Sequence, residues 1–268
     1  MLEMFSYDFI IRALIVGVIV SLCSSLLGVS LVLKKYSMIG DGLSHVSFGA
    51  LAIATALNIT PLKFAIPIVI IVAFVLLKIS DNAKIKGDSA IALISAGSLA
   101  IGIVAVSIST GVNTDIYSYL FGSILAISKS DMVLSIILGL MVLIIYILFY
   151  NKIFAITFDE NFAKATGVKV NTYNMIIALL TAITIVLGMK LMGSLLITSL
   201  IIFPSLTSMK LFNTFKGVVI SSSILSIINL FIGIIISYYF DVPTGASIVI
   251  INIFMFILFS FINFLRKI

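Results

Sequence analysis

Apolar runs of about 20 residues, each long enough to cross a bilayer, recur from one end of this 268-residue sequence to the other. With 62% of its residues hydrophobic and 10% charged, the chain is far more apolar than a soluble domain. The expected fold is therefore all-α, a polytopic transmembrane bundle forming a single domain over 1–268. Crossings are read near 10–33, 37–57, 62–79, 89–109, 131–150, 173–189, 191–209, 217–239 and 245–265. Eight or nine spans result, because Met189-Lys190-Leu191 between Gly188 and Gly193 reads either as a tight external turn or as a broken helix. Ile116 to Ser128 is apolar but too short to cross, which suggests an external interfacial or re-entrant piece. The first run is longer than a signal-peptide core and many others come after it, so it is read as retained.

The formal net charge of +6 does not mark a nucleic-acid surface, because its distribution tracks the membrane. If the connection after the first span is cytoplasmic, the inner side holds Lys34, Lys35, Lys78, Lys84, Lys86, Lys152, Lys164, Lys169, Lys210, Lys216, Arg266 and Lys267. Only Arg12, Lys63, Lys129 and Lys190 then face outward. Twelve against four is a positive-inside bias, and it sets the N-terminus outside and the C-terminus inside. The one cysteine, Cys23, lies in an apolar run and offers neither a disulfide framework nor a zinc cage.

Two ionisable residues interrupt the second apolar run. Asp41 and His45, the sole histidine, are four residues apart in GDGLSHVSFG, so on a helix they stack on one face within reach of a single cation. Counted from Lys35 at the interface, His45 lies about 15 Å deeper, near mid-bilayer. Ser37, Asp41, Ser44, His45 and Phe48 form a mostly polar stripe, with Ile39, Leu43, Val46 and Ala50 on another face. Ionisable groups in hydrocarbon are costly and mark ion or proton paths. Imidazole nitrogen with carboxylate oxygen suits zinc or manganese, though two ligands need others to complete a shell. The same spacing equally serves a helix-packing hydrogen bond from Asp41, with His45 satisfied locally.

The longest cytoplasmic loop, 151–172, contains FDENFAKATGV. Glu160, Ala163, Ala165 and Gly167 read as a short amphipathic helix ending at a glycine cap. Phe158 and Phe162, spaced i, i+4, are expected on one face, ready to enter an apolar pocket on a soluble partner; the alternative is a helix resting on lipid headgroups. The chain has no glycine-rich loop ending in GK[ST], no HExxH, no nucleophile elbow and no cysteine pair. ATP-driven work would thus need a nucleotide site on a partner.

LVLKKYSMIGDGLSHVSFGALAIA, DIYSYLFGSILAIS, FDENFAKATGV, GSLLITSLIIFPSLTS and DVPTGASIVI occur in this order over nearly the whole chain. Together these blocks resemble the metal-ion ABC transporter permeases that serve zinc, manganese and iron uptake in bacteria. The resemblance implies a multi-pass permease in the bacterial plasma (inner) membrane, working as a homodimer. It also implies two cytoplasmic ABC ATPase subunits and an extracellular or periplasmic metal-binding protein that delivers the ion. It assigns the transported metal to Asp41 and His45. Docking on the ATPase falls to Phe158, Asp159, Glu160, Phe162, Ala163, Ala165 and Gly167. GDGLSHVSFG together with the later SYLFGSILAIS is closer to the zinc branch than to the manganese branch, so transported Zn²⁺ is expected, with Mn²⁺ the alternative and no permanently bound cofactor.

Asp115, beside Tyr117 and Tyr119, and Asp241, in an external turn before the last span, are candidates for an external gate or for metal access; both also read as solvated loop residues. Pro204 is expected to kink its span. An ion-coupled secondary transporter using Asp41 and His45 as a proton relay is the competing class, but the paired halves with broken helices common there are not apparent. An intramembrane enzyme would need catalytic residues that the sequence lacks.

Overall fold

The computed structural model describes residues 8–80, 87–108 and 127–267, and every regular element among them is a helix. In chain order these are α1 (Asp8–Leu33), α2 (Ser37–Ala56), α3 (Pro61–Ser80), α4 (Gly87–Ile108), α5 (Lys129–Leu148), α6 (Tyr150–Phe158), α7 (Glu160–Ala165), α8 (Val170–Met192), α9 (Ser194–Leu211), α10 (Phe215–Phe240) and α11 (Thr244–Lys267). Eight of them, all but α2, α6 and α7, are long and apolar enough to cross a membrane. The short segment around Asp115 lies outside the described residues.

Helices α1 and α8 form the centre: 72% of the α8 crossing is buried by protein, against 11% of the α11 crossing. Between apolar helices in lipid, association depends on close packing and interhelical hydrogen bonds. Gly28 on α1 lets the α9 backbone approach so closely that a Cβ there would stand 2.1 Å from the Ile201 carbonyl oxygen. Serines join α1 to α10: the Ser226 hydroxyl donates to the Ser21 carbonyl at 3.1 Å and Ser222 to that of Ser25 at 3.5 Å. Helix α2 packs among α3, α4, α8 and α9. Its approach to α4 is backbone to backbone, since a Cβ on Gly49 would meet the Ser98 carbonyl oxygen at 2.6 Å.

Of the two readings at Met189-Lys190-Leu191, the broken helix is corrected and the tight turn is present but later: α8 continues through Met192 and turns into α9 at Gly193 alone, with φ 83° and ψ 165°. Glycine adopts this positive φ freely. The charge of Lys190 is accommodated in this apolar helix because its ammonium lies 2.7 Å from the Asp131 carboxylate of α5. Ser128 caps α5, accepting from the Asp131 backbone N–H at 3.1 Å and donating to its carboxylate at 2.7 Å. The α8–α9 pair is thus a tight hairpin pinned to the start of α5.

The segment 151–172 is more helical than expected. Helix α6 runs to Phe158; Asp159 is extended (φ −151°, ψ 103°), and its carboxylate accepts from the N–H groups of Asn161 and Phe162 at 2.9 and 3.0 Å. Such N-capping starts a new helix. Phe158 and Phe162 therefore sit on different helices rather than on one i, i+4 face. Gly167, at φ 82°, lies just past α7, and residues 170–172 already belong to α8. Pro204 lies within α9, which continues through it.

Candidate functional site

Helix α2 presents Asp41 and His45 one turn apart, with His45 Nε2 3.7 Å from Asp41 Oδ2. Their side chains are 39% and 27% exposed, respectively, while every other residue from Ile39 to Ala52 of this helix is buried. That exposure is to a cavity of about 520 Å³. Its other wall is α9, through Ser194, Leu195, Thr198, Ser199, Ile202 and Phe203, with Val249 from α11. The Thr198 hydroxyl donates to the Ser194 carbonyl at 3.1 Å and stands 3.4 Å from Asp41 Oδ1. His45 Nδ1 is buried and, among the described residues, has no hydrogen-bond partner.

The expected polar stripe divides. Asp41 and His45 face the cavity, whereas Ser44 and Phe48 are fully buried. Ser44 satisfies its hydroxyl on the Asp41 carbonyl at 2.7 Å, and Phe48 packs against Gly102 of α4. The apolar face is buried as expected, with Leu43 at 0% exposure.

Atoms held at about 2.0–2.1 Å by one tetrahedral ion stand roughly 3.4 Å apart. The 3.7 Å between His45 Nε2 and Asp41 Oδ2 needs only slight closure to reach that separation. No group of three or more His, Cys, Asp or Glu side chains suited to a metal occurs among the described residues. The protein groups nearest to extending this donor pair are hydroxyls: Thr198, Ser199 and Ser194 on the facing wall.

Behind that wall runs a buried amide ladder. Asn252 Nδ2 donates to Ser199 Oγ at 3.0 Å, and Asn229 Nδ2 donates to Asn252 Oδ1 at 2.7 Å. Asn252 is 0% exposed, and the ladder ties α9 to α11 and α10. Sequence reasoning passed over Thr198, Ser199, Asn229 and Asn252. The available signal was polar residues within apolar runs, which in hydrocarbon require partners.

The 158–167 segment lies at the other polar centre. Phe158 and Phe162 are 60% and 65% exposed, although Phe158 also stacks on Phe154 and on Phe215 of α10. Ala163 is fully buried and faces into the protein. Glu160 also turns inward: its carboxylate accepts from Lys34 and from Asn174 Nδ2. Burial alone would raise the Glu160 pKa, but these hydrogen bonds and the charges of Lys34 and Lys164 hold it below the ordinary carboxylate value. Asp241, left-handed at φ 51°, ends α10 in an exposed turn and is not among the cavity residues.

Residues 6–263 match the family model described as the ABC 3 transport family. The sequence is 31% identical over 255 residues to the high-affinity zinc uptake system membrane protein ZnuB of Haemophilus influenzae, covering 95% of this chain and 98% of that protein. It is 30% identical over 261 residues to the manganese transport system membrane protein MntC of Halalkalibacterium halodurans, covering 97% and 89%. Its fold is similar to a chain in the structure of PsaBC from Streptococcus pneumoniae in complex with Fab, with a TM-score of 0.85 and 30% identity over 94% of this chain and 91% of that one.

Proposed function

The chain belongs to the ABC 3 transport family, and from that premise we propose that this metal-ion ABC transporter permease carries zinc into the cytoplasm, with Asp41 and His45 as the protein ligands of the moving ion. The observation that carries the reading is the facing pair itself, 3.7 Å apart at the wall of the 520 Å³ cavity. Zinc is chosen over manganese on the resemblance of GDGLSHVSFG and SYLFGSILAIS to the zinc branch, since imidazole and carboxylate suit both ions and the names of the relatives divide between them.

Two protein ligands suit a carrier, because the ion exchanges bound water for carboxylate and imidazole without becoming trapped. The Thr198 and Ser199 hydroxyls lie where they can hold its remaining water. Alternating access then requires α2 and α9 to move relative to each other, opening the cavity first to one side of the membrane and then to the other.

The same reading extends to the rest of the assembly. Two copies of the chain pair in the bilayer, with the N-terminus outside and the C-terminus inside. Phe158 and Phe162 enter apolar grooves on cytoplasmic ATPase subunits, and Asp159 fixes their orientation by capping α7. An external metal-binding protein delivers the ion at the opposite face, where the Asp241 turn is available to receive it.

The test is uptake of zinc and manganese by the complex with its ATPase in liposomes. Asp41→Ala and His45→Ala should each lower zinc uptake at least tenfold. Undiminished uptake in both variants refutes the ligand assignment, and a wild-type preference for manganese refutes the choice of ion. Phe158→Asp and Phe162→Asp should release the ATPase during co-purification.

A further inference from the structure

Lys34 is a buried cation for which ion binding supplies no task. Lys35 beside it is exposed and suffices as an interfacial anchor, yet the Lys34 side chain turns inward and is only 5% exposed. All three of its donor positions find acceptors: the Ile156 carbonyl of α6 at 3.1 Å, Glu160 Oε1 of α7 at 2.5 Å and Asn174 Oδ1 of α8 at 3.0 Å. Asn174 Nδ2 closes the figure by donating to the same Glu160 oxygen at 3.1 Å. One ammonium therefore joins three helices to the end of α1.

The short link from Lys34 to α2 gives this junction its meaning. Lys35 has φ 61°, a left-handed conformation that strains any residue with a Cβ. Tyr36 comes next and α2 begins at Ser37, so Asp41 lies seven residues beyond Lys34. Beneath this link is a small void of about 20 Å³ with a mainly apolar lining that includes Leu31, Ile39, Leu77 and Ile177 beside Lys34 and Tyr36.

We propose that Lys34, with Glu160 and Asn174, is a clamp that delivers displacement of α7 to the strained α1–α2 link, and so to the helix bearing Asp41 and His45. Its role is positioning, since the Lys34 side chain is buried and does not line the cavity beside Asp41 and His45. Stability alone does not require such an arrangement, because Glu160 is 38% exposed and an ion pair with one partner partly in water contributes little. What an ion pair adds is a directional link among separate elements. The inference rests on the reading that α7 docks on the ATPase.

The experiment measures zinc uptake per ATP hydrolysed in the full complex in liposomes. Lys34→Met should lower this ratio at least tenfold, and Lys34→Arg should restore most of it. A purely structural role would lower uptake and hydrolysis together and leave the ratio unchanged; that result overturns the clamp. Lys34→Met/Glu160→Gln leaves no unpaired charge and takes the place of the single variant if that fails to fold, with the same expected loss. Phe158→Asp and Phe162→Asp separate the two ideas. If both retain the ATPase, docking and clamp fall together, whereas if both release it and the Lys34→Met ratio is normal, the clamp alone is overturned.

Discussion

Gly28→Ala tests whether the α1–α9 contact governs both stability and transport. An alanine Cβ would stand 2.1 Å from the Ile201 carbonyl oxygen and 2.8 Å from Ser205 Oγ. The nearer atom is backbone and cannot rotate away, so the helices must separate by about 1 Å to reach an ordinary contact. Overpacking of this kind costs about 1–3 kcal/mol. Alanine also gains about 1 kcal/mol of helix propensity over glycine, which partly masks the clash.

Gly97→Ala removes that ambiguity. Gly97 is helical, and nothing lies within 4 Å of the Cβ it would carry. That variant reports propensity alone, so the difference between the two variants isolates the clash at about 1–3 kcal/mol. The assay is SDS titration in mixed micelles, monitored by tyrosine fluorescence because the chain has nine tyrosines and no tryptophan. Ile201 is three residues from Thr198 on α9, so zinc uptake should fall in Gly28→Ala and hold in Gly97→Ala. Equal stability of the two variants would refute the close-approach argument; undisturbed uptake in Gly28→Ala would refute the link to the cavity.

Three further outcomes are expected. Lys190→Met leaves the Asp131 carboxylate, 12% exposed, without its partner and should cost about 3 kcal/mol in the same titration, while Lys190→Met/Asp131→Asn recovers most of the loss. Asn252→Val removes the bonds to Ser199 and Asn229, at about 0.6–1.7 kcal/mol each; it should raise the zinc concentration for half-maximal uptake more than it lowers the maximal rate. Glu160, whose folded pKa lies below its ordinary 4.5, favours the folded state when deprotonated. Its contribution is complete above pH 4.5 and lost as pH falls through the depressed value, so acid should lower the thermal midpoint of the wild type more than that of Glu160→Gln.

The spans were legible because hydropathy over about 20 residues is a strong, local signal: the run read at 62–79 is helix Pro61–Ser80, and that at 217–239 is Phe215–Phe240. The α8–α9 turn was misplaced because a lysine in an apolar run reads as an interruption, whereas Asp131, on a different helix, accommodates its charge. The capping sequence Asp159-Glu160 was likewise visible in FDENF, but the aromatic spacing around it pointed to one continuous face. In the site, the ionisable pair announced itself by its type. Thr198, Ser199 and the two asparagines did not, because a hydroxyl or amide becomes conspicuous only once three dimensions show what it faces.

Helix α2 is as long as a crossing yet is not among the eight helices apolar enough to be one. Its ionisable pair, Asp41 and His45, set among glycines and serines, makes it a poor candidate for spontaneous partition into lipid. Its entry into the membrane during synthesis must therefore be cooperative, drawn in between the strongly apolar α1 and α3 and then covered by α4, α8 and α9. Until α8 and α9 emerge, a nascent chain carries α2 only partly covered. Assembly of this protein is thus tied to synthesis of its C-terminal half, and a chain truncated before Val170 should be a substrate for membrane quality control rather than a stable fragment.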